Sequence, residues 1–230
     1  MRLRSVVSDR PKPMAAVGSQ PFLELQIEHC KRYGITEFVF CVGFMHEQIQ
    51  AHFGDGSRWD VSIRYSVEEQ LLGTGGALRN ASALLRGAFL VLNGDSFKEV
   101  DLREVIGFHE RKSAVNARAM GTIVLTTAAN AREFGSVSID AAGRILTFTE
   151  KSSLSEGGES LINAGIYVLA PRFVDRIPYG CVVSLEREVF PAMLASGEDL
   201  FGYPVEGFFA DIGTPIGYRR FQEYMRERQA

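Results

Sequence analysis

Apolar runs of strand length alternate with segments of helical period through the first half of the chain, and few folds accommodate that alternation. Leu23, Ile27 and Cys30 stand at helical spacing between Pro21 and Gly34. They lead into Phe38 to Val42, an unbroken apolar run suited to a strand buried on both faces. The step repeats with a helix over Met45 to Phe53, carrying Ile49 and Phe53 at i and i+4, and a strand at Val61 to Tyr65. A helix from about Thr74 and a strand at Ala88 to Leu92 follow. Helix and strand in strict alternation predict an α/β fold with a doubly wound, mostly parallel sheet.

The texture then changes. Asp101, with Glu104 three residues on, reads as an N-cap opening a helix to about Lys112. Met120 to Thr126, Val137 to Ile139 and Ile145 to Thr149 read as strands, the last two joined as a hairpin across Asp140-Ala141-Ala142-Gly143. This predicts a small antiparallel insertion in the Rossmann-like sheet, placed beside the ligand. Leu161 to Leu169 is a further strand, Leu185 to Leu194 a helix with Pro191 inside it, and Pro215 to Arg226 a closing helix. Ser152 to Ser160, rich in Ser, Glu and Gly, is the best candidate for a mobile loop. With no repeat or linker, residues 1–230 are expected to form one domain, and 46% hydrophobic content is enough for its core.

Charge argues against a broad nucleic-acid surface: 25 basic and 28 acidic residues are interspersed and leave a net charge of -3, so basic groups should serve small anions. Cys30, Cys41 and Cys181 are odd in number and lack CxxC pairing, which indicates neither a disulfide framework nor a zinc site and fits a reducing cytoplasm. No run approaches the roughly 18 apolar residues of a membrane span, and no apolar leader follows Arg2 and Arg4. His29, His46, His52 and His109 show no ligand spacing and read as structural or exposed, and Trp59 reads as a packing residue.

Two motifs point to chemistry. Leu72-Gly73-Thr74-Gly75-Gly76-Ala77-Leu78 is a Gly-rich turn into a helix, where backbone approaches a flat base or a phosphate closely. Val91-Leu92-Asn93-Gly94-Asp95 ends an apolar run in a carboxylate, where an α/β sheet holds a metal. Asp211 likewise follows the apolar Phe208-Phe209-Ala210, so Asp95 and Asp211 could share one carboxyl edge and hold Mg²⁺ against a triphosphate. Either aspartate alone reads equally as a turn or cap residue. Lys12 is stiffened between Pro11 and Pro13, and Lys151 ends a strand beside Glu150, though most lysines are simply solvated. The glycines alone are weak, since a tight turn into the Leu78 helix would need them too.

More landmarks occur in order: Arg10-Pro11-Lys12-Pro13-Met14, Phe134-Gly135-Ser136-Val137, Phe148-Thr149-Glu150-Lys151, Ile162-Asn163-Ala164-Gly165-Ile166-Tyr167 and Asp211-Ile212-Gly213-Thr214-Pro215. Over essentially the whole chain this set resembles the sugar-1-phosphate nucleotidyltransferases. The resemblance implies attack by a sugar 1-phosphate on the α-phosphorus of a nucleoside triphosphate, with Mg²⁺ as cofactor and pyrophosphate as leaving group. The nucleophile is already ionised, so alignment and charge neutralisation replace acid/base catalysis. Arg2, Lys12, Asp95, Lys151 and Asp211 are then the catalytic set, with Asp95 and Asp211 on the metal, Lys12 on nucleotide phosphates and Lys151 on the sugar phosphate. Leu72, Gly73, Gly75, Gly76, Asn93 and Gly94 would bind the nucleotide, and Gly135, Glu150 and Asn163 the sugar.

Ser184-Leu185-Glu186 with Phe190-Pro191, beside the Gly-rich and Asn93 motifs, looks most like the D-glycero-D-manno-heptose 1-phosphate guanylyltransferases. GTP and that heptose 1-phosphate are therefore the expected substrates, in surface glycan synthesis, with mannose 1-phosphate guanylyl transfer the near alternative. The choice of guanine rests on resemblance alone. One departure stands out: relatives begin with an apolar strand and a loop ending Gly-Thr-Arg, whereas this chain starts Met1-Arg2-Leu3-Arg4. Only Arg2 survives from that signature, so a domain truncated at its N-terminus is expected, with exposed strand edges where the central strand would lie. A non-catalytic nucleotide-sugar-binding regulator is the alternative of another class, and a homo-oligomer is compatible with either.

Overall fold

The computed structural model describes residues 9–128, 136–149 and 160–228. The chain opens on a short ribbon, β1 (Ala16–Val17) and β2 (Gln20–Pro21), and runs into α1 (Phe22–Lys31). The alternation read from the sequence follows: β3 (Glu37–Val42), α2 (His46–Phe53), β4 (Ser62–Val67), α3 (Gly73–Asn80) and β5 (Phe89–Leu92). Then come β6 (Ser96–Lys98), α4 (Leu102–Val115), β7 (Ala119–Ala128), β8 (Ser136–Ile139), β9 (Ile145–Thr149) and β10 (Ser160–Leu169). The chain closes with α5 (Phe190–Ala195), β11 (Asp199–Pro204), β12 (Phe209–Asp211) and α6 (Pro215–Glu227).

The α/β class expected from the sequence is the observed one, with direction distributed unevenly. β3 and β4 pair in parallel, as do β7 and β11, whereas β10 runs antiparallel to both β7 and β5 within the four-stranded sheet β11-β7-β10-β5. Apolar periodicity marks a buried strand and carries no record of its direction, so the antiparallel course of β10 leaves no mark in its sequence. Tyr167, Ile123, Leu125, Phe173 and Phe190 form the centre of the core beneath this sheet.

Among the described residues, β3 and β5 are edge strands, and both line a cleft of about 600 Å³ with Ile27, Phe38, Phe40, Leu90 and Leu92 on its walls. β3 is accordingly only partly covered, with Cys41 exposed, and not the doubly buried strand its composition suggested.

Local signals act as read. Asp101 caps α4 by accepting from Arg103 N at 2.9 Å, and the β8–β9 hairpin turns on Asp140, whose Oδ1 accepts from Ala142 N and Arg144 N at 2.9 and 2.8 Å. The expected helix over 185–194 is instead a π-helical turn, Leu185–Val189, followed by α5. Pro191 thereby falls in the first turn of α5, where a missing N–H costs nothing. His29 and His109 are buried, and burial pushes the pKa of each down, holding both as neutral packing groups; Trp59 packs on Phe53 at 5.0 Å between ring centroids.

Candidate active site

Three segments remote in sequence bring charge to one corner. Lys12 opens a one-turn 3-10 helix, Lys12–Met14, set by Pro11 and Pro13, and its Nζ donates to Asp95 Oδ2 at 3.0 Å, each side chain about one-third exposed. Asp95 sits in the turn between β5 and β6. That turn is pinned from outside: Gln26 Nε2 on α1 donates to Asn93 O at 3.0 Å and Ser96 O at 2.8 Å, and Ile212 N donates to Asp95 O at 2.8 Å. Asp211 ends β12, opposite Ser96 of β6, and its Oδ1 accepts from Gly213 N at 2.7 Å. The two aspartates thus meet through the β6–β12 ladder, with Asp95 three residues past the carboxyl end of β5.

Gly213 measures how closely the corner converges. A Cβ at Gly213 would lie 2.8 Å from Asp211 Oδ1, 3.2 Å from Asp95 Oδ2 and 3.3 Å from Lys12 Nζ. Two carboxylate oxygens and an ammonium therefore border one small space, kept open because residue 213 has no side chain. Mg²⁺ is commonly held by one or two carboxylates, with phosphates and water completing its octahedron. Among the described residues no cluster of three or more acidic, His or Cys ligands exists, and Asp95 with Asp211 is the donor set that fits such an ion.

The helix opened by the Gly-rich turn lines the same cleft as Asn93, through Thr74 and Ala77. Gly73 has φ +74° and a Cβ there would lie 2.7 Å from Val183 O; at Gly75 it would meet the same oxygen at 3.1 Å, and at Gly76 it would lie 2.4 Å from Cys181 O. Gly75 N and Gly76 N donate to Val183 O at 2.9 and 3.3 Å, and Val183 N donates to Leu72 O at 2.8 Å. The glycines thus admit the chain's own 181–183 segment, and the N–H groups of Gly75 and Gly76 are committed to it. A role for Leu72 and these glycines toward a nucleotide falls to the surface they leave exposed. Gly94 abuts Pro13, where a Cβ would meet Pro13 Cγ at 3.3 Å.

Asn163 reaches the same region through a bulge in β10. The β10–β7 register shifts between Asn163 and Tyr167; Gly165 has φ +75°, and a Cβ on it would lie 2.8 Å from Asn93 Nδ2. Asn163 Oδ1 accepts from Gly165 N at 2.8 Å, and its Nδ2 donates to Tyr167 Oη at 2.8 Å. Tyr167 is fully buried, its pKa pushed well up by desolvation and then by the nearby Glu186 carboxylate, and its hydroxyl donates to Glu186 Oε1 at 3.1 Å. Glu186 Oε2 accepts from Thr74 Oγ1 at 2.9 Å and Ser184 Oγ at 2.8 Å.

Nothing in the sequence alone assigns a role to Gln26, Tyr167 or Glu186. Tyr167 and Glu186 stand inside recognised motifs, but their partners are remote in sequence, as with Thr74 and Glu186. Of the expected site residues, Arg2, Gly135, Glu150 and Lys151 lie outside the described residues, as do positions 152–159 of the expected loop.

The family model "Nucleotidyl transferase" matches residues 1–228. The chain is 37% identical over 221 residues to a mannose-1-phosphate guanylyltransferase of Mycobacterium tuberculosis, an alignment covering 95% of this chain and 60% of that protein, so the chain spans about three-fifths of that relative's length. It is 32% identical over 230 residues to a D-glycero-alpha-D-manno-heptose 1-phosphate guanylyltransferase of Aneurinibacillus thermoaerophilus, covering 98% of this chain and 94% of that one. The crystal structure of HddC from Yersinia pseudotuberculosis complexed with GMP-PN superposes with a TM-score of 0.81 at 25% identity, over 97% of this chain and 94% of that chain.

Proposed function

The chain belongs to the nucleotidyl transferase family, and we propose that it is a sugar-1-phosphate guanylyltransferase. In the proposed reaction a phosphate oxygen of the sugar 1-phosphate forms a bond to the α-phosphorus of GTP. The bond from that phosphorus to the α–β bridging oxygen breaks, and pyrophosphate leaves with the electron pair, giving a GDP-sugar. The single observation that carries the reading is the convergence of Lys12, Asp95 and Asp211 around Gly213. Neighbouring anions repel, so the barrier falls when fixed positive charge meets them in line.

Asp95 and Asp211 are the proposed holders of Mg²⁺, which when bound neutralises phosphate charge. Lys12 supplies an ammonium already oriented by Asp95 toward the same space. Arg2 and Lys151 are assigned to the nucleotide and sugar phosphates, and Gly135, Glu150 and Asn163 to the sugar, from the family resemblance. Guanine is supported by the names of both relatives and by the GMP-PN complex of the Yersinia protein.

D-glycero-D-manno-heptose 1-phosphate is the proposed acceptor, in nucleotide-sugar supply for surface glycans, supported by the relative aligned over 94% of its length. Mannose 1-phosphate is the second reading, favoured by the 37% identity to the mycobacterial enzyme. The test is pyrophosphate release from GTP, UTP and CTP with heptose, mannose and glucose 1-phosphates. GTP with heptose 1-phosphate should give the highest kcat/KM. Preference for mannose 1-phosphate would transfer the assignment, and binding of GDP-sugar with no pyrophosphate from any pair would make the protein a sensor.

A further inference from the structure

Around Glu186 every hydroxyl has its direction set. Thr74 Oγ1 accepts from Leu185 N at 2.9 Å, Ser184 Oγ from Arg187 N at 3.3 Å and Tyr167 Oη from Asn163 Nδ2 at 2.8 Å. Each hydroxyl accepts an N–H and gives its single proton to the same carboxylate, Thr74 and Ser184 to Oε2 and Tyr167 to Oε1. An ionised carboxylate only accepts, so no member of this set can reverse while Glu186 is charged. The series ends at Asn163, whose Oδ1 is taken by Gly165 N. One Nδ2 hydrogen goes to Tyr167, and the amide has a second.

We propose that Glu186 is a positioning residue: its carboxylate fixes a directional relay from Thr74 of the Gly-rich turn through Tyr167 to Asn163, holding the Asn163 amide with its second N–H available to a sugar hydroxyl. The inference rests on the guanylyltransferase reading for the identity of that hydroxyl, but not for the relay itself. Its chemistry predicts what an isostere does. In Glu186→Gln one carboxylate oxygen becomes an NH₂. Placed at Tyr167, that group leaves the phenol, which the Asn93 side chain also bonds, facing three donors and its own proton without an acceptor. Turning the Asn163 amide to take that proton would set Nδ2 against Gly165 N–H. Either way the amide loses its single orientation.

The ligand-free protein is tested first, by following the ¹⁵N side-chain amide pair of Asn163. Wild type should give one sharp pair with slowed hydrogen exchange; Glu186→Gln and Tyr167→Phe should each broaden or shift it and speed exchange. An Asn163 pair unchanged in both variants overturns the relay, whatever the enzyme turns over. In kinetics, Glu186→Gln should raise KM for the sugar 1-phosphate by up to about tenfold, the upper end for one neutral hydrogen bond, with kcat and KM for GTP moving far less. In an Asn163→Ala background it should add nothing. A full further tenfold there would mean that Glu186 meets the sugar itself and would overturn the positioning role. Absence of turnover in wild type with every sugar 1-phosphate would instead refute the guanylyltransferase reading, and the amide measurement would still decide the relay.

Discussion

The two sides of the site are built on opposite plans. At the corner, Lys12, Asp95 and Asp211 are held by turns and short ladders so that charged atoms border a shared space. Along the wall, Thr74, Glu186, Tyr167 and Asn163 are bonded to one another in sequence, with Tyr167 fully buried. The difference matches the two tasks proposed for them: stabilising developing charge needs convergent groups whose partner is the substrate, whereas recognising a hydroxyl needs direction, which internal bonds supply. Damage to the corner should fall on kcat, and damage to the wall on KM or on stability.

Lys12→Ala tests the corner's fixed positive charge. It removes an ammonium preset at 3.0 Å from Asp95, and kcat should fall by on the order of 100-fold with the melting temperature little changed, because the pair is about one-third exposed. A loss confined to KM would erase the distinction between corner and wall. Gly213→Ala places a methyl 2.8 Å from Asp211 Oδ1 and 3.2 Å from Asp95 Oδ2. The Mg²⁺ concentration for half-maximal rate should rise by about tenfold, comparable to disturbing groups that orient a metal's ligands. An unchanged Mg²⁺ requirement would mean that the space is not the metal's.

Gly76→Ala sharpens the other side of the comparison through its sign. In an open helix interior the change stabilises by up to about 1 kcal/mol. Here the new Cβ would lie 2.4 Å from Cys181 O and 2.7 Å from Leu72 Cβ, so overpacking should cost about 1 to 3 kcal/mol and lower the melting temperature. A stabilised Gly76→Ala variant with lost nucleotide affinity would show that the glycine serves the ligand and not the 181–183 segment.

The corner was the more legible side because its logic is local. Asp95 and Asp211 each follow an apolar strand and Lys12 lies between prolines, so type and setting are both written near the residue. What the sequence could not carry was the ladder that joins them, since β6 and β12 are three-residue strands brought together from far apart in the chain. The wall was half legible. Gly73, Gly75 and Gly76 announce close approach without saying what approaches, and the answer, the backbone of Cys181 and Val183, is set by tertiary packing. Glu186 and Tyr167 are ordinary surface and strand residues by type, and become a relay only when β10, α3 and the π-helical turn meet. The antiparallel course of β10 was hidden for the same reason: burial fixes periodicity, while pairing fixes direction.

The most direct measurement of the central claim is pyrophosphate release at saturating GTP and heptose 1-phosphate across a Mg²⁺ titration, for wild type, Asp95→Asn and Asp211→Asn. Each isostere keeps shape and removes a charged oxygen ligand, so kcat should drop by on the order of 100- to 1000-fold, only partly recovered at high Mg²⁺, with thermal stability retained. Near-normal turnover in either variant, with the wild-type Mg²⁺ dependence, would contradict the assignment of the transfer reaction to this corner.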